Sequence, residues 1–508
     1  MSEQTRTTPA DTVVIGGGPA GLFAALTLVR AGRRVVLLEA GGDMAESLCP
    51  RLVARMKGRT VRDAEKFRLQ CARCTCLTGL GGAAFHFDTN LGYISSLTRS
   101  KIETAPDGTV RSYSGLERAL GSFDRAQDLI SEAYRTLYEL GLPPAGPAHE
   151  PDGALLGDGT VFQHVDTAYS QSVTVDDSLV VIARLRAELE RGGGSVLLRH
   201  RATDVEPLTG GGFHVRADTP DGPAVFRADD VIVGVGKLGL PWVRDLAGRI
   251  GVRHRPSSRV DLGVRLEGAR EDLAPLLDGC HNPKLSFLNE EGHSVRTFCV
   301  CEGGRVMQYG FLDAVALDGQ HCLNQPTTKS NLGILTTVDL PEGTDGTEHA
   351  AAFARRVAAH GSGRPVVSTV DELAGRPVPD GPLTTSLISY HHGGLRDCLP
   401  ASTVRDVLAM VDRLNTLHPG LVPGTATVAA PVVERLFPDL DLSDDLESSV
   451  PGLYFVGDSS SKIIGITYGA ATGMAAARSV LQRQGATPPA AGTATAKATT
   501  PAASGGPR

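Results

Sequence analysis

Short, wholly apolar runs set between longer mixed stretches predict a βαβ unit at the start of the chain. Thr12–Ile15 is a β-rich run, followed by Gly16-Gly17-Gly18-Pro19-Ala20-Gly21 and then by Leu22–Arg30, apolar and built of strong helix formers. Ala31-Gly32 stops that helix, and Val35–Leu38 is a second continuous apolar strand closing at Glu39. Strand, glycine turn, helix and strand in that order are the parts of one crossover unit.

The middle of the chain repeats this texture. Asp176–Glu190 carries a helical pattern that Arg191–Gly194 ends. Ser195–His200, Ala202–Val205, Phe213–Ala217 and Ala224–Arg227 read as strands, and Val231–Val235 as a buried strand running into glycines. Three short antiparallel strands feeding a core strand suit an insertion on a dinucleotide-binding domain. Further on, Val260–Leu266 and Ser294–Tyr309 are strand-like, while Glu348–His360 and Ala401–Leu417 are helical. Leu453–Val456 is another buried strand, followed by Gly457-Asp458, and Ile466–Leu481 is an apolar helix rich in small residues. The expected division is a discontinuous nucleotide-binding domain over 11–100, 165–256 and 450–482. A mixed α/β substrate or cap domain covers 257–449 with parts of 101–164. Residues 484–508 are Ala, Thr, Pro and Gly with almost no bulky apolar side chain, a composition that predicts disorder.

Composition narrows the function classes. With 508 residues, 41% of them hydrophobic, the chain can build two or three cores. A net charge of −7 and 5% aromatics disfavour a phosphate-tracking or base-stacking surface, so no nucleic-acid partner is expected. The basic cluster Arg51, Arg55, Lys57, Arg59, Arg62, Lys66 and Arg68 is read as a solvated, partly helical face. No apolar run reaches the ~20 residues of a membrane span, and the polar start lacks a secretory pattern. A cytoplasmic location without membrane association is therefore expected, with nine cysteines held mostly as thiols.

The glycine turn has a specific chemistry. Gly16 permits the tight turn, Gly18 lets backbone approach a pyrophosphate, and Gly21 allows close helix–strand packing. Pro19 suits a first helical turn, whose free N–H groups and positive dipole end face the phosphates. Glu39 lies 18 residues after Gly21 at the end of the second strand. It is placed to accept both ribose hydroxyls and to repel a 2′-phosphate, which selects an FAD- or NAD-like nucleotide.

Leu453-Tyr454-Phe455-Val456-Gly457-Asp458, followed by Gly465-Ile466 and a small-residue helix, resembles the C-terminal motif of FAD-dependent oxidoreductases of the glutathione-reductase-like type. The resemblance implies an aspartate on a ribityl hydroxyl and a helix N-terminus facing the N1–O2 edge of the flavin, where reduction leaves negative charge. Ala228–Gly239 looks like the second glycine motif of such flavoproteins. Its Gly234, Gly236 and Gly239 also spell a nucleotide-binding pattern, but no second strand with a suitable end residue follows.

Taken in order, several segments resemble an uncharacterised group of FAD-dependent dehydrogenases, NAD(P)/FAD-dependent oxidoreductases by fold. Gly79-Leu80-Gly81-Gly82-Ala83-Ala84-Phe85-His86-Phe87-Asp88 matches that group's glycine segment, although Thr89-Asn90-Leu91 replaces its Gly-Lys-Leu. His164-Val165-Asp166-Thr167 matches loosely, Gly263-Val264-Arg265-Leu266-Glu267 well, and Phe298-Cys299-Val300-Cys301-Glu302-Gly303-Gly304 apart from Glu302 in place of proline. The expected fold is α/β, with a Rossmann-like FAD-binding domain of the glutathione-reductase type and a mixed α/β substrate domain. The cofactor-contacting residues so implied are Gly16, Gly18, Pro19, Ala20, Gly21, Glu39, Ala40, Gly81, Gly82, Ala202, Gly236, Gly457, Asp458, Gly465 and Ile466.

Cys71, Cys74 and Cys76 form one tight cluster, Cys299 and Cys301 another. Buried packing thiols, a redox-active pair and a metal site all remain open, the last requiring the clusters to meet, and no metal ligand is assigned. Proton carriers for flavin chemistry are sought among His391 and His392, before a double glycine, and His86, beside Gly81-Gly82. Arg265 is a candidate to hold a substrate anion, or a structural partner of Glu267 or another acid. The expected activity is an FAD-dependent oxidoreductase, a dehydrogenase or reductase moving hydride between flavin N5 and a small-molecule substrate, with NAD(P)H an available donor. The rival readings are an RNA-modifying flavoprotein and a flavin/thiol redox sensor.

Overall fold

A computed structural model describes residues 7–46, 78–85, 89–92, 101–104, 110–113, 115–144, 152–164, 170–257, 259–278, 283–323, 326–377, 383–434 and 439–485. The basic cluster over 51–68, the Cys71–Cys76 group, His86 and the 486–508 tail lie outside these residues.

Five parallel strands form the sheet that positions the site, in the order Ser195–Leu198, Val35–Glu39, Thr12–Ile15, Asp230–Val233 and Leu453–Phe455. The inner strands are buried on both faces, which is why they read as unbroken apolar runs instead of alternating ones. Helix Pro19–Arg30 crosses from the first strand to the second and packs against helix Ile466–Arg483. Small residues allow this contact: a Cβ on Gly473 would run into the Ala20 carbonyl. Helix Val175–Arg191 starts on a capping box, with the Thr174 side chain accepting from the Asp177 N–H.

The expected three-stranded insertion is present. Arg201–Pro207, Phe213–Thr219 and Gly222–Ala228 pair antiparallel, and Thr7–Pro9 adds a parallel edge. The Asp230–Val233 strand then returns to the centre of the parallel sheet, beside Thr12–Ile15.

A second core surrounds a nine-stranded sheet whose centre is Val366–Thr369, Thr427–Glu434, Arg259–Ala269, Lys329–Asp339 and Ser294–Cys301. Helices Gly346–His360 and Ala401–Leu417 cover it with their apolar faces. The run Ser294–Tyr309 is not one strand. It turns at Glu302–Gly304, and Arg305–Phe311 pairs with Ala314–Gln320 as a separate hairpin. Among the described residues no helix is long and apolar enough to cross a membrane.

Candidate functional site

The carboxyl ends of the parallel strands gather along one edge of the sheet, the place where open α/β sheets bind ligands. Three turns leave there: Gly16–Gly18, Gly234–Gly236 and Gly457–Asp458. Gly16 has φ +106°, and a Cβ on it would press on Gly234, while a Cβ on Gly21 would strike the Gly16 carbonyl. Gly18 differs: among the described residues a Cβ there would meet only the Gly82 Cα, at 3.9 Å. Two glycines thus close the turn and the middle one leaves it open. The helix behind starts at Pro19 with no side-chain cap, so its N–H groups point into the open space.

Glu39 closes one flank. Only 7% exposed, it accepts from the Gly17 N–H at 2.7 Å, the Gly41 N–H at 2.7 Å and the Gly79 N–H at 3.0 Å. It therefore ties three loops together, while a carboxylate offers about four acceptor sites. Ala40 follows it at the exposed rim. The Gly81 N–H donates to the Gly17 carbonyl at 2.8 Å, so Gly81 and Gly82 lie along the glycine turn. Ala202 packs partly buried on the insertion, just past His200, whose N–H reaches the Glu39 carbonyl.

Asp458 closes the opposite flank. A Cβ on its neighbour Gly457 would come within 3.0 Å of the Ala20 side chain, which sets this turn directly against the first helix. Burial pushes the Asp458 carboxyl up to about 6, with the Lys237 ammonium opposing. No described residue donates a hydrogen bond to its side chain. Gly465, at φ +136°, leads without a side-chain cap into the helix that begins at Ile466. An acceptor without a donor among the described residues and two uncapped helix starts lie along this one sheet edge, and these groups fit the hydroxyls, diphosphate and ring edge of FAD.

The third turn carries residues that the sequence does not single out. Gly236 has φ +67°, and Lys237 follows it into a buried cluster from the other sheet. Its ammonium pairs with Glu434 at the end of strand Thr427–Glu434 and lies 4.9 Å from the centre of the Tyr309 ring. Burial pushes Glu434 up to about 7, and Lys237 restrains that rise. Burial works against the Lys237 ammonium as well, but the Glu434 charge foremost overrides it and holds Lys237 well above the ordinary amine range. The Asp318 carboxyl and the Tyr309 phenol are both raised by burial. After Lys237 comes helix Leu240–Ile250, and the next strand, His254–Arg255, pairs antiparallel outside this sheet, so Gly234–Gly239 serves the one sheet and does not open a second crossover unit.

Arg265 is 0% exposed and does not pair with Glu267. Its Nε donates to Asn331 Oδ1 at 3.1 Å and its Nη2 to the Cys299 carbonyl at 2.8 Å, with Asp318 Oδ1 3.9 Å from Nη1. Glu267 instead accepts from Thr385 Oγ1 at 2.7 Å and the Ser386 N–H at 2.8 Å. The guanidinium lies beneath Cys299 and Cys301, whose sulfurs are 3.8 Å apart. Within this pair the Cys301 S–H bond, followed by His321 and Arg265, holds Cys299 well below the usual thiol range despite burial. The same bond, then burial, raises Cys301 well above it.

His391 and His392 form a two-residue edge strand beside Val366–Thr369. The His391 ring stacks edge-on against His360 at 5.5 Å, and His392 Nε2 sits 2.9 Å from Glu372 Oε1. The two rings face different neighbours, as adjacent strand positions must, and none of these contacts reaches Asp458 or Lys237.

Residues 10–101 match the family model described as pyridine nucleotide-disulphide oxidoreductase. A 45-residue stretch is 60% identical to an L-glutamate oxidase precursor from Streptomyces viridosporus, covering 9% of this chain and 7% of that protein. Among solved structures, a 3-ketosteroid-Δ4-(5α)-dehydrogenase from Rhodococcus jostii RHA1 superposes with TM-score 0.39 and 12% identity over 94% of this chain and 98% of that one. A glycerol-3-phosphate dehydrogenase from Bacillus halodurans, complexed with FAD, does so with TM-score 0.36 and 14% identity over 96% and 67%. The pyridine nucleotide-disulphide oxidoreductase match covers the first crossover unit, and the Gly16–Gly21 turn lies inside it.

Proposed function

We propose that the protein is an enzyme that exchanges hydride equivalents between FAD and a small-molecule substrate, with a dinucleotide-binding half of the glutathione-reductase type. The observation that carries this reading is the shared turn: Glu39 bonds the Gly17 N–H, the Gly457–Asp458 turn packs against Ala20, and between them Gly18 is open among the described residues. FAD, when bound, supplies the two-electron chemistry. The amides behind Gly18 hold the diphosphate, Glu39 takes a ribose hydroxyl on its remaining acceptor capacity, and Asp458 accepts from the ribityl chain. The helix starting at Ile466 directs its amides at the ring edge where charge collects.

In this reading the nine-stranded sheet forms the substrate side, 11–100, 165–256 and 450–482 serve the cofactor, and 257–449 with parts of 101–164 serve the substrate. Lys237 and Glu434 sit between the halves as a proton-holding pair, Glu434 with a carboxyl near neutrality. A group that takes or gives a proton near pH 7 is what substrate dehydrogenation requires. Lys237 and Glu434 therefore replace His391 and His392 as our candidate proton carriers.

The test is spectroscopic. Purified protein is expected to be yellow with FAD and to lose its flavin absorbance anaerobically on addition of its reductant. NADH and NADPH are the first donors to try. Bleaching by either supports a reductase, and indifference to both supports a substrate dehydrogenase. A Gly18→Trp protein that still carries stoichiometric FAD sinks the reading.

A further inference from the structure

A strand that runs without interruption places residues two apart on the same face, about 6.5 Å from one another. Cys299 and Cys301 do not obey that spacing. Their strand pairs with Lys329–Asp339 as far as Phe298 opposite Gly333, and the ladder resumes at Cys301 opposite Asn331. Three residues advance on one strand against two on the other, which is a bulge. Cys299 occupies it with φ +40°, a conformation that costs free energy for a non-glycine residue. The consequence is that the two sulfurs converge to 3.8 Å. A third donor arrives from the next hairpin: His321 directly follows strand Ala314–Gln320, and its Nε2 lies 3.7 Å from the Cys301 sulfur. The two sulfurs and an imidazole nitrogen all lie within 4.8 Å of one another.

We propose that Cys299, Cys301 and His321 form a binding site for a thiolate-seeking divalent cation, zinc above all, with three protein ligands and a fourth position for water or a substrate anion. Zinc bonds to sulfur at about 2.3 Å and to imidazole nitrogen at about 2.0–2.1 Å, so a tetrahedral centre needs edges of about 3.8 Å between sulfurs and about 3.5 Å between sulfur and nitrogen. The Cys299–Cys301 and Cys301–His321 separations are close to those edges before any ion is added. Two thiolates and an imidazole select zinc over magnesium or calcium, which prefer oxygen.

The surroundings hold the ligands as a metal site requires. Arg265 bonds the Cys299 carbonyl at 2.8 Å and approaches the Cys301 sulfur at 3.7 Å, which pins the bulge from beneath. Gly319 leaves the space: a Cβ on it would stand 2.7 Å from the Cys301 sulfur and would press on Arg265. Charge also closes, because two thiolates balance a dication while Asp318, 3.9 Å away, accompanies the guanidinium.

The experiment uses the full-length protein, reduced, loaded with zinc and dialysed, with bound zinc measured by elemental mass spectrometry. One equivalent per chain is expected. Cys299→Ser, Cys301→Ser and His321→Gln should each weaken zinc retention at least tenfold, while Cys398→Ala and Cys74→Ser keep it. In the unmodified protein, zinc should slow alkylation of Cys299 and Cys301 and a chelator should restore it, a readout that does not depend on any variant folding. Zinc that persists in both serine variants overturns the proposal. So does protein that takes up no zinc after reduction, including protein whose two thiols are found joined as a disulfide, the sign of a redox pair. Neither result bears on flavin binding, so this site and the proposed oxidoreductase activity stand or fall separately.

Discussion

Lys237 and Glu434 join the two halves of the molecule. The lysine leaves the Gly234–Gly236 turn of the parallel sheet, and the glutamate ends a central strand of the nine-stranded sheet, with side chains 22% and 4% exposed. Each charge is costly to bury alone and tolerable beside the other. Lys237→Met is expected to destabilise the protein by about 1–3 kcal/mol, because it leaves the buried Glu434 carboxyl without its partner and forces it to take up a proton, whereas Lys237→Met combined with Glu434→Leu costs much less than the two single changes added. Denaturant unfolding of the four proteins measures the coupling. Additivity within error would show that the pair does not act as a unit.

Asp458 gives a pH dependence whose sign can be worked out. Its carboxyl stands at about 6 in the folded protein against an ordinary value of 3.8, so the folded state holds the proton more tightly than the unfolded chain does. The stability it contributes is complete below about pH 4 and is lost as pH rises through about 6. In flavin-free protein, Asp458→Asn should remove that part of the decline and raise the Tm at pH 7 relative to the parent. The same change should weaken FAD binding roughly tenfold or more, since it removes a charged acceptor. Thermal scans of both proteins at pH 4 and pH 7, with FAD titrations, separate the two effects. A lower Tm for the variant at pH 7 contradicts the assignment.

Glu39 is predicted to serve the fold as well as the nucleotide. Its carboxylate accepts from the N–H groups of Gly17, Gly41 and Gly79, and Glu39→Gln puts an amide donor among those three donors. A loss of about 1–3 kcal/mol in flavin-free stability is expected, from one unsatisfied buried N–H and a removed charge. If Glu39→Gln leaves flavin-free stability unchanged, the carboxylate is serving the ribose alone.

What could be read from the residues divides along the range of the interactions. The Gly16–Gly21 turn, the three-stranded insertion and helix Ala401–Leu417 are local patterns, and each occurs where periodicity places it. Helix Phe123–Glu139 has the same kind of signal, with Ala126, Leu129, Ile130, Ala133 and Leu137 buried. Strand Thr427–Glu434 is harder, because Pro431 argues against a central strand. The structure accommodates it opposite the irregularity between Gly263 and Arg265. The Lys237–Glu434 pair spans 197 positions and the Cys301–His321 contact 20, and neither has a sequence period that could announce it. Only the fold brings those side chains together.

The glycines of the turn separate folding from binding. Gly21 packs so closely that a Cβ would drive into the Gly16 carbonyl, whereas Gly18 has an ordinary φ of −79° and, among the described residues, nothing nearer its Cβ position than the Gly82 Cα at 3.9 Å. Gly21→Ala is therefore expected to lose about 1–3 kcal/mol of stability or more with or without flavin, because backbone must move to admit the methyl group. Gly18→Ala should leave flavin-free stability within about 0.5 kcal/mol of the parent, since its backbone suits alanine and its space is open. Yet that space is where the diphosphate approaches, so Gly18→Ala should cost FAD affinity at least tenfold. Measuring unfolding without flavin and binding with it gives two independent axes. A Gly18→Ala protein that binds FAD as tightly as the parent would remove the diphosphate from this turn, whatever its colour on purification.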